Sequence, residues 1–224
     1  MRETQSPAVE DYLKAIYHLS ATGGRATTNK IAEWLAVTPA SVTGMLRKLA
    51  EADPPSVTYQ KHRGVTLTPH GEAIALEIIR RHRLLELFLQ ETLGYSWDEV
   101  HGEAERLEHI ISPDLAQRIA RRLGDPERDP HGEPIPGRDL RLPPASEIRL
   151  SEVRPGQEAI VERVDAGDEN LLRRLKMIGL VPRTRIAVLD PSSQDDRICL
   201  QIEGRDGSVL LDQGSCSRIF VKIK

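Results

Sequence analysis

A proline-rich segment from Asp125 to Pro144 divides this sequence into two parts of different character. It contains six prolines together with Gly132 and Gly137. Proline fixes φ and has no amide proton to donate, so the segment excludes a helix and a central strand. We expect a linker at residues 125–146. With 224 residues, the chain is long enough for one domain of about 130–150 residues and a smaller one.

Before this segment, the first seventy residues predict a helix-turn-helix followed by a hairpin. Apolar side chains repeat at helical spacing in three segments: 7–21, 29–36 and 40–52. A short turn at 37–39 separates the last two, as in a helix-turn-helix. Within residues 57–68, two β-branched stretches flank a basic tip that runs from Lys61 to Gly64, which is typical of a hairpin. Residues 1–70 are therefore expected to form a DNA-binding winged helix.

The outer face of the third helical segment has residue types that suit a DNA groove. Small side chains and hydroxyls lie near its start and cations lie further along, so that both base edges and phosphates could be contacted. Gly44 lowers helix stability by roughly 1 kcal/mol relative to Ala, and close approach to DNA would explain its presence. A helical hairpin with a solvated polar face is the alternative interpretation. The residues expected at DNA are Thr28, Thr38, Pro39, Ala40, Ser41, Thr43, Arg47 and Lys48, with Lys61, His62 and Arg63 in the hairpin.

Between Arg80 and His109, two helical patterns place metal-ligand side chains on one face. His82 and Glu86 lie one turn apart in the first pattern. The second has four such residues at i, i+4, i+7 and i+8: His101, Glu105, Glu108 and His109. Residues at these spacings share one side of a helix. Burial of unpaired charge costs several kcal/mol, a cost that a divalent metal would remove, so residues 71–124 are expected to form a helical metal-binding domain.

Other residues near these patterns receive a structural interpretation. Three arginines are expected on the solvated side of the first ligand helix: Arg80, Arg81 and Arg83. Three histidines have no partner at ligand spacing and are left out of the metal sites: His18, His70 and His131. A further helix starts at Ser112, and Leu115, Ile119 and Leu123 give it an apolar face that could pack across a dimer interface.

After the proline-rich segment, residues 147–224 predict a small β domain. Five short stretches alternate between apolar and polar residues: 158–164, 185–190, 197–203, 208–212 and 218–224. One helical stretch, 170–180, lies between the first two. Several short strands in so few residues indicate a small SH3-like β-barrel, which makes the whole chain an α+β protein. Cys199 and Cys216 lack the spacing of a metal site or disulfide framework, and both are expected to be core thiols.

In its order of domains, the chain resembles the diphtheria-toxin-repressor (iron-dependent repressor) family, whose manganese-sensing members are often called manganese transport regulators. The most specific motifs are EDYLKAIY at 10–17, TPASVTGMLRKL at 38–49, RGVTLTPHG at 63–71, RHRLLELFL at 81–89, VHGEAERLEH at 100–109 and PHGEPIP at 130–136. The resemblance implies a homodimeric repressor that binds palindromic operator DNA when it is loaded with Mn(II) or Fe(II), and thereby controls metal homeostasis.

The resemblance also implies two metal sites in each chain. The first would consist of His82, Glu86 and His101, and a loop of the SH3-like domain could add Asp165, Asp168, Glu169 or Asn170. The second would consist of Asp11, Glu105, Glu108 and His109. Iron-sensing relatives have Met at the position of Asp11 and Cys at that of Glu105. Carboxylates suit Mn(II) better than sulfur does, so Mn(II) is the first choice and Fe(II) the alternative.

Two positions depart from the pattern of the short manganese sensors. Those relatives have a glutamate where this chain has Lys14, and they generally lack the imidazole that His101 supplies. The chain thus combines an iron-type first site with a manganese-type second site.

Composition and the search for other motifs indicate which further classes of function are not expected. No run of about 18 apolar residues and no signal-peptide core occurs, so a cytoplasmic protein without a membrane partner is expected. The net charge of −3 gives no overall nucleic-acid signature. Neither a nucleophile–base pair nor a phosphate loop is found, so we expect no enzyme and no small-molecule substrate. The rival interpretations are a helical di-metal enzyme and an adaptor whose β domain binds a protein.

Overall fold

The structure, a computed structural model, describes residues 6–21, 24–60, 63–189 and 197–224. Contacts divide these residues into two units. The first unit contains the described residues up to Arg81, together with 108–110 and 138–141. The second contains residues 82–107, 111–137 and the described residues from Leu142 onwards. Among the described residues, no helix is both long and apolar enough to span a membrane.

Three helices and a hairpin form most of the first unit. They are α1 (Pro7–Ser20), α2 (Thr28–Trp34), α3 (Pro39–Glu51), β1 (Val57–Gln60) and β2 (Gly64–Leu67). The side-chain oxygens of Thr27 and Thr38 accept hydrogen bonds from backbone amides in the first turns of α2 and α3, which is the usual way to begin a helix. Leu13, Ile31 and Leu46 are fully buried in the shared core. The predicted winged helix is confirmed.

A long helix, α4 (Pro69–Leu93), follows the hairpin. Its residues up to Arg81 belong to the first unit and the rest to the second. Thr68 begins it by accepting a hydrogen bond from the amide of Gly71 at 3.2 Å. A Cβ atom at Gly71 would lie 2.0 Å from the carbonyl oxygen of Ser56, so only glycine allows α4 to approach the hairpin segment this closely.

The second unit contains the remaining helices and one sheet. Its helices are α5 (Val100–Leu107), α6 (Pro113–Arg122), α7 (Glu169–Ile178) and α8 (Gln213–Cys216), with a 3-10 turn at Leu150–Glu152. Its strands are β3 (Glu158–Val164), β4 (Arg185–Leu189), β5 (Arg197–Ile202), β6 (Ser208–Asp212) and β7 (Ile219–Ile223). They form an antiparallel sheet in the order β6-β5-β4-β3-β7. The predicted strands and the α+β class are confirmed.

Apolar and polar residues alternate along the strands, so that one face of the sheet is buried. Val161, Val188 and Leu200 point into a core that Leu172 and Leu175 of α7 complete. Cys216 lies in this core, as predicted. Cys199 is only partly buried, which corrects the sequence expectation, because strand alternation places it on the opposite face from its neighbour Leu200.

The second ligand helix is shorter than the sequence pattern from His101 to His109 suggested. The Ser96 amide donates to Glu99 Oε2 at 3.2 Å, and α5 begins at Val100 and ends at Leu107. Glu108 and His109 therefore lie in the turn after the helix and belong to the first unit. A single helical stripe from His101 to His109 does not form.

The proline-rich segment lacks regular structure, as predicted, but part of it is built into the second unit. His131 and Ile135 are buried, and the Val164 amide in β3 donates to the His131 carbonyl at 2.8 Å. Gly132 has φ +87°, and a Cβ atom there would lie 2.0 Å from the Glu162 carbonyl oxygen. This stretch of backbone therefore packs directly on β3.

Candidate metal centres

The first group of potential ligands joins α4 to α5. His82 Nε2 lies 3.0 Å from Glu86 Oε1 and 3.1 Å from His101 Nδ1, and the His101 and Glu86 atoms are 2.9 Å apart. Helical spacing explains the His82–Glu86 pair. The structure thus brings together the three residues that were expected to form the first site.

The spacing of these three atoms suits a metal ion. An octahedral ion with bonds of about 2.1 Å holds adjacent ligand atoms about 3.0 Å apart, close to the distances observed. Burial alone would raise the pKa of the Glu86 carboxyl, but the charge of His82 and hydrogen bonds from His101 and His82 hold that pKa well below its usual range. A lowered pKa favours the ionised carboxylate, which is the form that binds a cation.

Sequence reasoning missed two further residues at this site. Asp129 and His131 form a second group with Glu86, and all three are buried. His131 Nε2 lies 2.8 Å from the Trp97 carbonyl, to which it donates. His131 Nδ1 is buried, 3.7 Å from Glu86 Oε2, and has no hydrogen-bond partner among the residues that the structure describes. An imidazole whose other nitrogen is fixed by a carbonyl is the usual form of a metal-binding histidine.

The electrostatics of this second group also favour a cation. Burial, together with the nearby Glu86 charge, raises the pKa of Asp129 well above its usual range. Burial would lower the pKa of His131, but Glu86 and Asp129 outweigh it and raise that pKa to about 9. Protons thus balance the negative charge when no ion is bound. The Asp-x-His spacing of Asp129 and His131, which overlaps the start of the PHGEPIP motif, was the available sequence signal.

A third group of potential ligands lies in the first unit. Asp11 of α1 meets Glu108 and His109 of the turn after α5. His109 Nε2 is 2.9 Å from Asp11 Oδ1 and 3.4 Å from Glu108 Oε1, and its Nδ1 is 2.7 Å from Glu10. Glu10 can therefore fix the ring so that Nε2 faces the two ligand carboxylates. Burial raises the pKa of Asp11, although His109 opposes this shift.

Two basic side chains balance this group. Lys14 Nζ is 2.9 Å from each carboxylate oxygen of Glu108. Arg81 donates to Glu10 Oε1 at 3.0 Å and to the Glu108 carbonyl at 3.2 Å. Arg81 was expected on a solvated helix face. Its position is different because buried carboxylates require a cationic partner.

Arg83 also departs from the expected solvated position. It is buried, and it donates to the Pro134 carbonyl and to Glu133 Oε2, the latter at 3.0 Å. Arg163 of β3 donates to the other Glu133 oxygen at 2.9 Å. Arg83 therefore holds the proline-rich segment on α4.

The remaining expected ligands make local contacts. Glu105 has 56% of its side chain exposed and lies 3.6 Å from His101 Nε2. In the loop of the β domain, Asp168 caps α7 and pairs with Arg218, Asp165 accepts from the Gly167 amide and Glu169 pairs with Arg173. Asn170 is exposed at the start of α7.

The residues expected at DNA lie on the outer face of the winged helix. The exposed ones are Thr38, Pro39, Ala40, Ser41, Arg47, Lys48 and Arg63, and Thr28 and Thr43 are partly exposed. Lys61 and His62 are outside the described residues. A Cβ atom at Gly44 would meet nothing within 4 Å, so packing within the chain does not require this glycine.

A winged helix combined with groups of carboxylate and imidazole ligands defines a metal-dependent DNA-binding regulator. Residues 5–65 match the N-terminal DNA binding domain of iron dependent repressors, 68–137 match their metal binding and dimerisation domain, and 148–223 match the FeoA domain. The chain belongs to the iron-dependent repressor family and is a metal-dependent transcriptional repressor.

Individual relatives include both iron- and manganese-named proteins. The chain is 35% identical to the iron-dependent repressor IdeR of Mycobacterium tuberculosis, over 80% of this chain and 82% of the relative. It is 40% identical to the transcriptional regulator MntR of Lysinibacillus sphaericus, over 51% of this chain and 81% of the relative. A solved manganese-dependent transcriptional repressor in complex with manganese is 38% identical, with a TM-score of 0.87 over 96% of this chain and 100% of that one.

Proposed function

We propose that this chain is a Mn(II)-dependent repressor that binds palindromic operator DNA as a homodimer. The observation that supports Mn(II) is the donor set of the first unit, in which Asp11, Glu108 and His109 supply oxygen and nitrogen and no sulfur. Such ligands suit Mn(II). The likeness to IdeR makes Fe(II) the second candidate, since the same donors also accept that ion.

Two metal sites per chain are part of this proposal. His82, Glu86 and His101 would hold one ion, with Asp129 and His131 on the other side of the Glu86 carboxylate. Asp11, Glu108 and His109 would hold the second ion. Glu105, and Asp165, Asp168 or Glu169 in the β domain, remain proposed additional ligands. In either site a bound divalent cation would supply positive charge next to the ligand carboxylates.

The second site can control DNA binding through chain connectivity. Asp11 lies in α1, directly before the helix-turn-helix, whereas Glu108 and His109 directly follow α5. When these three residues share one cation, α1 and the segment between α5 and α6 no longer move independently. The two recognition helices of a dimer must enter major grooves about 34 Å apart. Metal would thus shift the population towards the arrangement that binds DNA.

An electrophoretic mobility-shift assay with promoter DNA of the gene that encodes this chain tests this function. We expect a shifted band with Mn(II) that EDTA removes. Asp11→Asn should abolish the metal-dependent shift while circular dichroism stays unchanged, and the exposed control Asp206→Asn should behave as wild type. A metal-dependent shift that survives Asp11→Asn would contradict the role of this site. Parallel titrations with Fe(II), without oxygen, decide between the two ions.

The same assay addresses the other classes of function. We propose that the chain acts without catalysis, as a regulator whose partner is double-stranded DNA. Metal-dependent turnover without any DNA shift would support a di-metal enzyme instead. If neither turnover nor a shift is observed, an adaptor role of the β domain is favoured.

A further inference from the structure

A lysine ammonium lies directly on one of the proposed ligands of the second site. Lys14 Nζ is 2.9 Å from both Oε1 and Oε2 of Glu108. Only 12% of the Lys14 side chain and 2% of the Glu108 side chain are exposed. Water screens a buried ion pair much less than an exposed one, so this contact is electrostatically strong.

The charge balance of the site shows what this ammonium contributes. Among the described residues, the ion pairs of the site join Glu10, Asp11, Lys14, Arg81 and Glu108 to one another or to His109. Apart from His109, these three carboxylates and two cations carry one net negative formal charge. Without Lys14, the net charge would be two negative, which a single divalent cation would neutralise.

We propose that the Lys14 ammonium competes with the metal ion for the Glu108 carboxylate. To bind Glu108, the metal ion must displace this ammonium. The inference rests on the proposed function, because it requires Asp11, Glu108 and His109 to bind Mn(II). Lys14 contacts both oxygens of Glu108, so coordination of either oxygen loosens the ion pair. A bound divalent cation would also repel the ammonium.

The consequence is a lower metal affinity than the ligands alone would give. An interaction that stabilises only the metal-free state raises the metal concentration needed for loading. Lys14 thus sets the threshold at which the repressor responds. A purely structural ion pair would stabilise the metal-free and metal-bound states equally and would leave the affinity unchanged.

Calorimetric titration of metal-free full-length protein with Mn(II) separates these two roles. Mn(II) binding to the second site is defined as the set of equivalent binding events, or binding class, that the Asp11→Asn variant loses. In Lys14→Met, the Kd of that class should fall at least about tenfold, equivalent to 1.4 kcal/mol. Lys14→Arg keeps the cation and should keep the wild-type Kd. The control Lys224→Met removes a cation of the second unit, paired with Glu158 at 3.2 Å, and should also leave Kd unchanged.

The outcomes distinguish the two proposals. An unchanged or higher Kd in Lys14→Met, with the binding class retained, overturns the role of Lys14 alone. If Asp11→Asn removes no Mn(II) from the wild-type stoichiometry, the proposed second site fails as well.

A second measurement on the unmodified protein covers the case in which Lys14→Met does not fold. The extent of acetylation of Lys14, measured by peptide mass spectrometry relative to that of Lys224, should increase when Mn(II) is added. The reason is that the ammonium no longer contacts Glu108. Equal acetylation with and without Mn(II) would overturn the proposal.

Discussion

At the scale of single residues, the position of His131 depends on contacts that are distant in sequence. Its ring nitrogen donates to Trp97, and its carbonyl accepts from Val164 in β3. The residues next to His131 in the sequence do not indicate these contacts with Trp97 and Val164. Asp11 differs, because its motif resembles a known family and its role could therefore be predicted without the structure.

His131 provides the first residue-scale prediction. His131→Gln removes the buried Nδ1 atom that faces Glu86 and Asp129, so the first site should bind Mn(II) at least about tenfold more weakly. Calorimetric titration checks this value. The control His70→Gln, at an exposed position, should bind as wild type, and equal affinities in the two variants would exclude His131 from the site.

Gly132 provides a second prediction at this scale. Gly132→Ala places a methyl group against the Glu162 carbonyl in a left-handed conformation, so the protein should lose at least about 1–3 kcal/mol of stability. Urea unfolding followed by tryptophan fluorescence measures the loss. Gly204→Ala shares the positive φ but has open space around it, and it should cost less. A larger loss for Gly204→Ala would contradict this packing argument.

At the scale of elements, local patterns predicted the structure well and contacts between distant segments did not follow from them. The alternation of apolar and polar residues in strands β3 to β7 depends on residues within each strand. The hairpin and the start of α4 at Pro69 likewise depend on residues within those elements. The end of α5 at Leu107 does not, because Glu108 and His109 form ion pairs with residues nearly a hundred positions away. The packed part of the proline-rich segment was missed for the same reason.

The contact between α7 and the segment just before α5 gives an element-scale prediction. Asp98 accepts hydrogen bonds from Lys176 and Ser96, both at 2.9 Å, and lies 3.3 Å from Arg173 Nε. The bond from Lys176 is the main cause that lowers the pKa of Asp98 to about 2. Asp98→Asn should therefore destabilise the protein at neutral pH by on the order of 1 kcal/mol, because water screens the half-exposed partners Lys176 and Arg173.

The sign of this effect determines its pH dependence. A carboxyl with a lowered folded pKa stabilises the protein above its unfolded pKa, near 3.8, and this stability is lost as the pH falls towards the folded value. The difference between wild type and Asp98→Asn in urea unfolding should therefore shrink between pH 5 and pH 3. A constant difference would show that packing, and not charge, is responsible.

At the scale of the whole molecule, metal binding and folding are linked. An ion that binds only the native state, and whose free concentration is one hundred times its Kd, adds about 2.7 kcal/mol to the free energy of unfolding. Mn(II) should thus raise the thermal midpoint in differential scanning fluorimetry, and EDTA should reverse the increase. Asp11→Asn combined with His131→Gln should lose most of the increase. An equal shift in this double variant would place the metal elsewhere.

The bonds from Val164 to His131 and from Arg163 to Glu133 have a practical consequence for protein engineering. A shortened version that stops after the proline-rich segment would keep every metal-binding side chain proposed for α4, α5 and that segment. It would nevertheless lack the strand that anchors the His131 backbone. The β domain therefore supports the backbone of the proposed first metal site, whether or not it donates a ligand, and its removal is not a neutral truncation.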